Sequence, residues 1–462
     1  MAKLYVAILL DFFQPATQHP SVIDKITDEC YQPLIDFFNT KRNAKFSVSV
    51  SNSLIELLQA QGKEQIITGL KEAIVNRKIE MLHTGAHHSI FPLMPEIEVA
   101  HQIDLDVNIK KKLFGNINKT GIFSPELCYS DKLLPIYNDL NFQWTVIDDE
   151  VMRMNGITSP LHEIFCVNRF GIFMRSRLWS DKVKNKEIRN GEEFVRELEN
   201  EFEKLDQSKN YYKIITLSGE TFGHHISFYQ ETFLRDMCCS LSRSPTVELC
   251  LISDLWDKIP LRKVEKPQEQ GKEFEYFPSC SYGTQQADYQ HGDYYPHWKS
   301  SGNPVHDNLW KLTNLIMNAS QEIFAKADKQ EIVLSKTNHD SLRKQLDRAF
   351  YSTQYSHASI WDWKPNEVYR GIDTQMQVFY LCAEIINTPE FLREGESIYT
   401  QLMWNIFEED CNRQIDWAKE HHMDFKIWKD WKKATLETLK SLEMSIYKLQ
   451  EVHKRHYCEP NN

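Results

Sequence analysis

The chain predicts an α/β fold, an incomplete and distorted (β/α)7 barrel of parallel strands followed by a C-terminal α-helical domain. Three observations carry this. About seven short, strand-like runs alternate with helical segments through the first half. Polar or charged groups follow the ends of these runs: Asp11, His87 and His88, Glu126, Asp148, Arg175 and Glu220. In a closed parallel barrel those ends face one mouth. From Asp307 onward the periodicity is helical almost to the end. A doubly wound open sheet would also gather strand ends on one edge, but it usually brings a glycine-rich phosphate loop, and none is present.

In order, residues 3–10 read as the first strand, ending at Asp11. The opening stretch has one lysine and a short apolar run, like a weak secretory signal. It lacks a small-residue cleavage site and continues into Asp11-Phe-Phe-Gln-Pro15, so a barrel strand is the better reading. Residues 23–39 are helical. Residues 45–50 alternate as a second strand, and Ser51-Asn-Ser53 caps a helix through Gln59. Residues 63–76 form another amphipathic helix. The third strand, 79–83, breaks into Thr84-Gly-Ala-His-His-Ser89. The fourth, 120–123, breaks into Ser124-Pro-Glu126; the fifth, 142–147, ends at Asp148; the sixth, 172–174, ends at Arg175.

The seventh strand opens the stretch around which the chain is organised, Tyr212 to His225. Its apolar alternation stops at Ser218-Gly219, and Glu220, Thr221, His224 and His225 follow at once. A buried strand rarely needs so many titratable groups just past its end unless they do chemistry.

Between Arg262 and His306 the texture turns charged, then rich in Ser, Gly, Tyr, His and Trp without clear periodicity, which reads as an excursion over the barrel mouth. The helical runs beyond it are 309–325, 339–352, 374–386, 399–420 and 430–455. The expected division is therefore a barrel over 1–262, the excursion over 263–306 and a helical domain over 307–462.

A net charge of −11 without a long basic run argues against nucleic acid and anionic membrane as partners. No stretch approaches the length of apolar sequence that spans a bilayer. The 10 cysteines are scattered without a CxxC pair, as in a cytoplasmic protein with reduced thiols. Aromatics make up 12% of the chain, enough to wall a carbohydrate cleft even if most are core. A metal site could be composed from Asp11, His87, His88, His224 and His225. The sequence has no HxxxH or HxxEH spacing and adjacent histidines rarely face one ion, so no metal or other cofactor is expected.

Taken in order, these stretches resemble glycoside hydrolase family 57, specifically its α-amylase-type members, over most of the first 360 residues. Phe13-Gln14-Pro15 looks like the family's His-Gln-Pro, with Phe13 in the place of the His. His88-Ser89 matches a His-Ser of the second motif. Ser124-Pro-Glu126 looks like the third, whose Glu is the nucleophile. Gly219-Glu-Thr-Phe-Gly-His-His225 resembles the fourth, Asp-aromatic-Glu-Thr-Phe-Gly-Glu-His. Trp298 with Gly302-Asn303, then the stretch 347–355, correspond to later aromatic and Asp-bearing motifs. The resemblance implies an α-glucan or maltooligosaccharide substrate and a retaining hydrolase or transglycosylase.

One departure matters: the family's acid/base Asp falls on Ser218. A retaining mechanism pairs a nucleophilic carboxylate with a proton-donating carboxyl about 5–5.5 Å away, and a serine hydroxyl is too weak an acid to replace it. The candidate catalytic residues are accordingly Glu126, Ser218 and Glu220, the last as a substitute acid if the strand continues past Gly219. A structural role for Glu126, paired with Arg175 or Arg177, is the competing reading. Asp11, Phe13, Gln14, His88, Asp148, Arg175, His225 and Trp298 are the candidate substrate-binding residues. Three functions follow: an α-glucan hydrolase or transglycosylase with impaired or altered chemistry, a non-catalytic α-glucan-binding protein, or a metal-dependent carbohydrate hydrolase or deacetylase.

Overall fold

Strand β1 (Leu4–Phe12) shows why a barrel forms: eight of its nine residues are buried, so both faces need cover. A strand apolar on both faces belongs in the middle of a parallel sheet wrapped by helices. The computed structural model describes residues 2–422 except 116, 118, 119, 155–161, 267, 270, 271 and 274, together with 426, 429, 430, 432–435 and 437. Nine further strands join β1 in one sheet: β2 (Phe46–Val50), β3 (Ile79–Leu82), β4 (Gly121–Ile122), β5 (Trp144–Asp148), β6 (Ile164–Val167), β7 (Phe170–Arg175), β8 (Tyr211–Ser218), β9 (Val247–Leu249) and β10 (Leu261–Lys263).

Seven of these strands run parallel around a nearly closed barrel in the order β1-β2-β3-β4-β5-β7-β8, and β8 returns to β1. That last seam is long, in register from Leu4↔Tyr211 to Asp11↔Ser218. The thin joints are β3–β4, held by the single bridge His83↔Ile122, and β7–β8, paired at Arg175↔Ile214. These are the seven strands expected from the sequence. The three others, short strands at the margins of the barrel, were not expected. β6 runs antiparallel to β7 through a turn at Asn168 and Arg169, both at positive φ (49° and 75°), the backbone of a tight primed hairpin turn. β9 flanks the first half of β1, where β2 has not yet begun to pair. β10 adds an edge beside β6.

The single helix expected over 23–39 is two, Pro20–Ile26 and Gln32–Thr40, joined by a π-turn at Thr27–Tyr31. Pro33 lacks an N–H and fits a first turn, not a helix interior. Helix Glu96–Phe114 carries no clear apolar stripe in sequence, and the structure shows why. Glu98, Gln102, Asp106 and Lys110, each four apart and on one face, are all buried. Beside this polar row runs a buried apolar one, Val99, Ile103 and Val107, and the buried charges are paired, Glu98 with Arg343 and Asp106 with His83 and Lys110.

Beyond the excursion come helices Pro304–Asp328, Lys336–Arg348, Pro365–Ile386 and Pro389–Glu420. Each starts earlier than its apolar periodicity does, at a proline or after the Ser335 cap, because first turns tolerate proline and polar residues. The apolar run over 430–455 lies mostly outside the described residues. One apolar cluster extends from Phe91 and Tyr137 through Trp298 and Trp310 to Leu346 and Phe379, so barrel, excursion and C-terminal helices share a core. No helix among the described residues is long and apolar enough to cross a membrane. The nine cysteines among the described residues are all free.

Candidate functional site

The inward rows of the barrel lead to its mouth. Side chains alternate along a strand, so Tyr5, Ala7 and Leu9, all in the interior cluster, share a face with Asp11. On β8, Tyr212 and Ile214 of that cluster share a face with Thr216 and Ser218. Asp11 and Ser218 are register partners, so the two side chains emerge side by side at the C-terminal edge.

Glu126 reaches the same mouth from the turn after β4. Pro125–Leu127 is a single 3-10 turn in which Glu126 and Leu127 both have positive φ, 59° and 54°. Two consecutive side chains in that region are strained, and surrounding contacts must hold them there. Paired backbone bonds between Tyr129 and Cys280, 2.7 and 3.0 Å, pin the chain just beyond.

A hydrogen-bonded chain links the two carboxylates. The Ser352 hydroxyl donates to Glu126 Oε1 (3.0 Å) and lies 2.8 Å from His88 Nδ1, while His88 Nε2 lies 3.0 Å from Asp11 Oδ2. Because the hydroxyl hydrogen goes to Glu126, Nδ1–H must donate to Ser352, and Nε2 shares a proton with Asp11. Burial pulls the His88 pKa down, but the charge and hydrogen bond of Asp11, with Glu126 and Glu220 behind it, leave it raised overall. Burial raises Glu126, opposed by His88 and by the Ser352 bond.

Glu220 is held apart from that chain. Gly219–Thr221 is a 3-10 turn capped by Ser218, whose Oγ accepts from the Glu220 N–H at 3.2 Å and donates to Glu220 Oε2 at 2.9 Å. The strand therefore ends at Ser218 and does not continue through Gly219. Only glycine fits there, since a Cβ would stand 2.2 Å from the Phe12 ring. Gln14 Nε2 (3.1 Å) and the Tyr31 hydroxyl (2.5 Å) donate to Oε1 of Glu220. Burial raises its pKa and those three donors oppose the rise.

Two cavities open at the mouth, of about 500 and 410 Å³, within the range of small-ligand sites. They share Asp11, Glu126, Ser218 and His225. The larger adds Phe123, Arg175, Lys184, Thr216 and Tyr282. The smaller adds Phe13, Gln14, His88, Glu220, Thr353 and Lys364. Burial, then His224, Lys184 and Lys364, lower the His225 pKa, which leaves a neutral imidazole able both to donate to and accept from hydroxyl groups.

Asp148 and Trp298 stand elsewhere. Asp148 is fully buried and bound by two guanidiniums, Arg175 and Arg177 (Nε, 2.8 Å), so those arginines serve Asp148 rather than Glu126. Arg177 also donates to the carbonyls of Thr284 (2.8 Å) and Ser281 (3.1 Å), tying the excursion to the barrel. Trp298 is fully buried, edge-on to Tyr282 at 5.6 Å, and its carbonyl accepts from Trp310. Tyr282, not Trp298, is the excursion ring that lines the larger cavity. Of the five candidate metal donors, Asp11, His88 and His225 meet at the smaller cavity, whereas His224 faces Glu29 at 2.8 Å and His87 lines neither cavity. Among the described residues no group of three or more His, Cys, Asp or Glu is placed to hold a metal ion.

Ser352, Tyr282 and Lys184 join the site without a signal of their own in the sequence. Ser352 lies within the 347–355 stretch, and nothing local marks the other two.

The sequence profile described as Glycosyl hydrolase family 57 matches residues 6–268, more than half of the chain. An α-amylase of Pyrococcus horikoshii is 21% identical over 145 residues, 31% of this chain and 22% of that protein. The chain thus spans under a quarter of that relative's length. Among solved structures, a GH57-type branching enzyme from Pyrococcus horikoshii aligns at a TM-score of 0.63 and 13% identity, covering 88% of this chain and 95% of that one. A 4-α-glucanotransferase from Thermococcus litoralis aligns at 0.62 and 16%, covering 82% and 60%. At such identities these two likenesses speak to the fold.

Proposed function

The chain belongs to glycosyl hydrolase family 57, and from that premise we propose that it acts on an α-glucan or maltooligosaccharide by a retaining mechanism with Glu126 as nucleophile. The observation that carries this reading is the meeting of two cavities at Glu126. A sugar chain lying through both would put a glycosidic bond beside its carboxylate, with sugar units on either side. Glu126 attacks the anomeric carbon, a covalent glycosyl-enzyme forms, and water or a second sugar hydroxyl releases it. His225 supplies a polar contact and Tyr282 an aromatic wall, while Gln14 and Arg175 line the cavities with their polar groups already paired.

A second reading, glucan binding without cleavage, is favoured by Ser218. It supplies no carboxyl where the resemblance implies the acid, and Glu220 is occupied by three donors. One experiment separates the two: turnover of maltooligosaccharides and of an aryl maltoside with a good leaving group, by wild type and Glu126→Gln, alongside maltooligosaccharide binding. The expected result is wild-type turnover of at least the aryl substrate, abolished in Glu126→Gln with binding retained. Binding without turnover of either substrate leaves the glucan-binding reading.

A further inference from the structure

We infer that Asp11 is the proton donor to the departing glycosidic oxygen, replacing the carboxyl that Ser218 lacks. The inference rests on the reading of Glu126 as nucleophile. Its basis is the barrel seam: Asp11 and Ser218 are register partners on adjacent parallel strands, facing the same side. A carboxyl lost from one strand is therefore present on the next at the same height. Asp11, like Ser218 and Glu126, lines both cavities.

Its surroundings suit the role. Asp11 Oδ2 is held by His88 at 3.0 Å, and Oδ1 is enclosed without a protein partner. An enclosed, unpartnered carboxylate oxygen is costly. His88 is 1% exposed and stacked under Phe13, so its proton reaches the cleft through Asp11. Glu126, Glu220 and Lys110 are the other charged groups whose fields act on this pair, and Lys184 acts on Glu126. Glu220, the rival acid, has its oxygens taken by Gln14, Tyr31 and Ser218 and does not line the larger cavity.

The step balances. Glu126 forms its bond to the anomeric carbon as the glycosidic C–O bond breaks, and the electron pair goes to the leaving oxygen. That oxygen takes the single proton shared along the Asp11–His88 hydrogen bond, leaving aspartate and neutral imidazole. In the second step water gives a proton back to the pair as its oxygen displaces Glu126.

The test is the leaving-group dependence of kcat/KM for wild type, Asp11→Asn, Asp11→Ser, Glu220→Gln and Glu126→Gln, each checked by thermal melt. Both Asp11 variants should lose about 10²–10⁴-fold on maltooligosaccharide, the usual worth of general acid help. They should lose far less glycosylation rate on an aryl maltoside whose leaving group needs no proton. Adding Ser218→Asp to Asp11→Asn should recover part of the loss, because the new carboxyl stands one strand away. Equal losses on both substrates in the Asp11 variants overturn the inference, as does leaving-group-dependent loss in Glu220→Gln instead. Those results leave the nucleophile standing. If Glu126→Gln is silent, or wild type turns over neither substrate, the nucleophile reading falls and this one with it.

Discussion

Phe13 lies flat on His88, with ring centroids 3.9 Å apart and planes within 8°. The resemblance puts a histidine at position 13, where it would offer a polar edge to the sugar. Here the aromatic face covers an imidazole that is almost fully buried at the wall of the smaller cavity. His88 is thereby held between Asp11 on one side and Ser352 on the other. An aromatic face over an imidazole also favours its cationic form, in the same direction as Asp11.

The pH profile of kcat/KM should reflect that arrangement. Glu126 must be ionised to attack, and its pKa is raised, so activity falls as pH drops through a value above the ordinary carboxylate range. The Asp11–His88 pair must hold its proton, and His88 is raised above 6.5, so activity falls again as pH climbs past that value. Ser352→Ala removes a bond that favours the Glu126 carboxylate and should move the acid limb further up. An acid limb at an ordinary carboxylate pKa, or one unmoved in Ser352→Ala, would count against this assignment.

Asp148→Ala should destabilise the barrel by about 3–5 kcal/mol, the usual cost of stranding a buried partner's charge. Asp148 is fully buried, and Arg175 and Arg177 are nearly so. Removing the carboxylate leaves two buried guanidiniums without their shared anion. A chemical denaturation curve measures this, and a loss below about 1 kcal/mol would show the cluster to be dispensable.

Asp149→Asn should stabilise the protein above pH 6. Burial, then the neighbouring Asp148 charge, push the Asp149 carboxyl up to about 6 from 3.8. Between those values the folded state binds a proton that the unfolded state has lost, so stability falls as pH rises through the window and stays lower above it. A rise of that size corresponds to roughly 2–3 kcal/mol. An asparagine oxygen can still accept the Arg177 N–H, now at 3.0 Å. Melts of both proteins at pH 4 and pH 7 check the sign: the gain should be present at pH 7 and nearly absent at pH 4.

The seven barrel strands and the polar residues past their ends were legible in the sequence because both are local signals. An apolar run, a break and a proline lie within a few residues of one another, and Glu126 after Pro125 is such a case. Helix Glu96–Phe114 was not legible, since a polar row, Glu98, Gln102, Asp106 and Lys110, is buried beside its apolar one and blurs the amphipathic pattern. Trp298 could not be told from a cleft-lining ring, because only packing against Trp310 and Tyr282 decides which tryptophan is core. Glu220 turned out of line at Gly219 because the Ser218 hydroxyl closes a turn there, a choice the strand pattern leaves open. Tertiary structure alone set Asp11 beside Ser218 and gave Arg175 and Arg177 to Asp148. Such pairings join side chains far apart along the chain, and they exist only once the β8–β1 seam and the β5–β7 contact have closed.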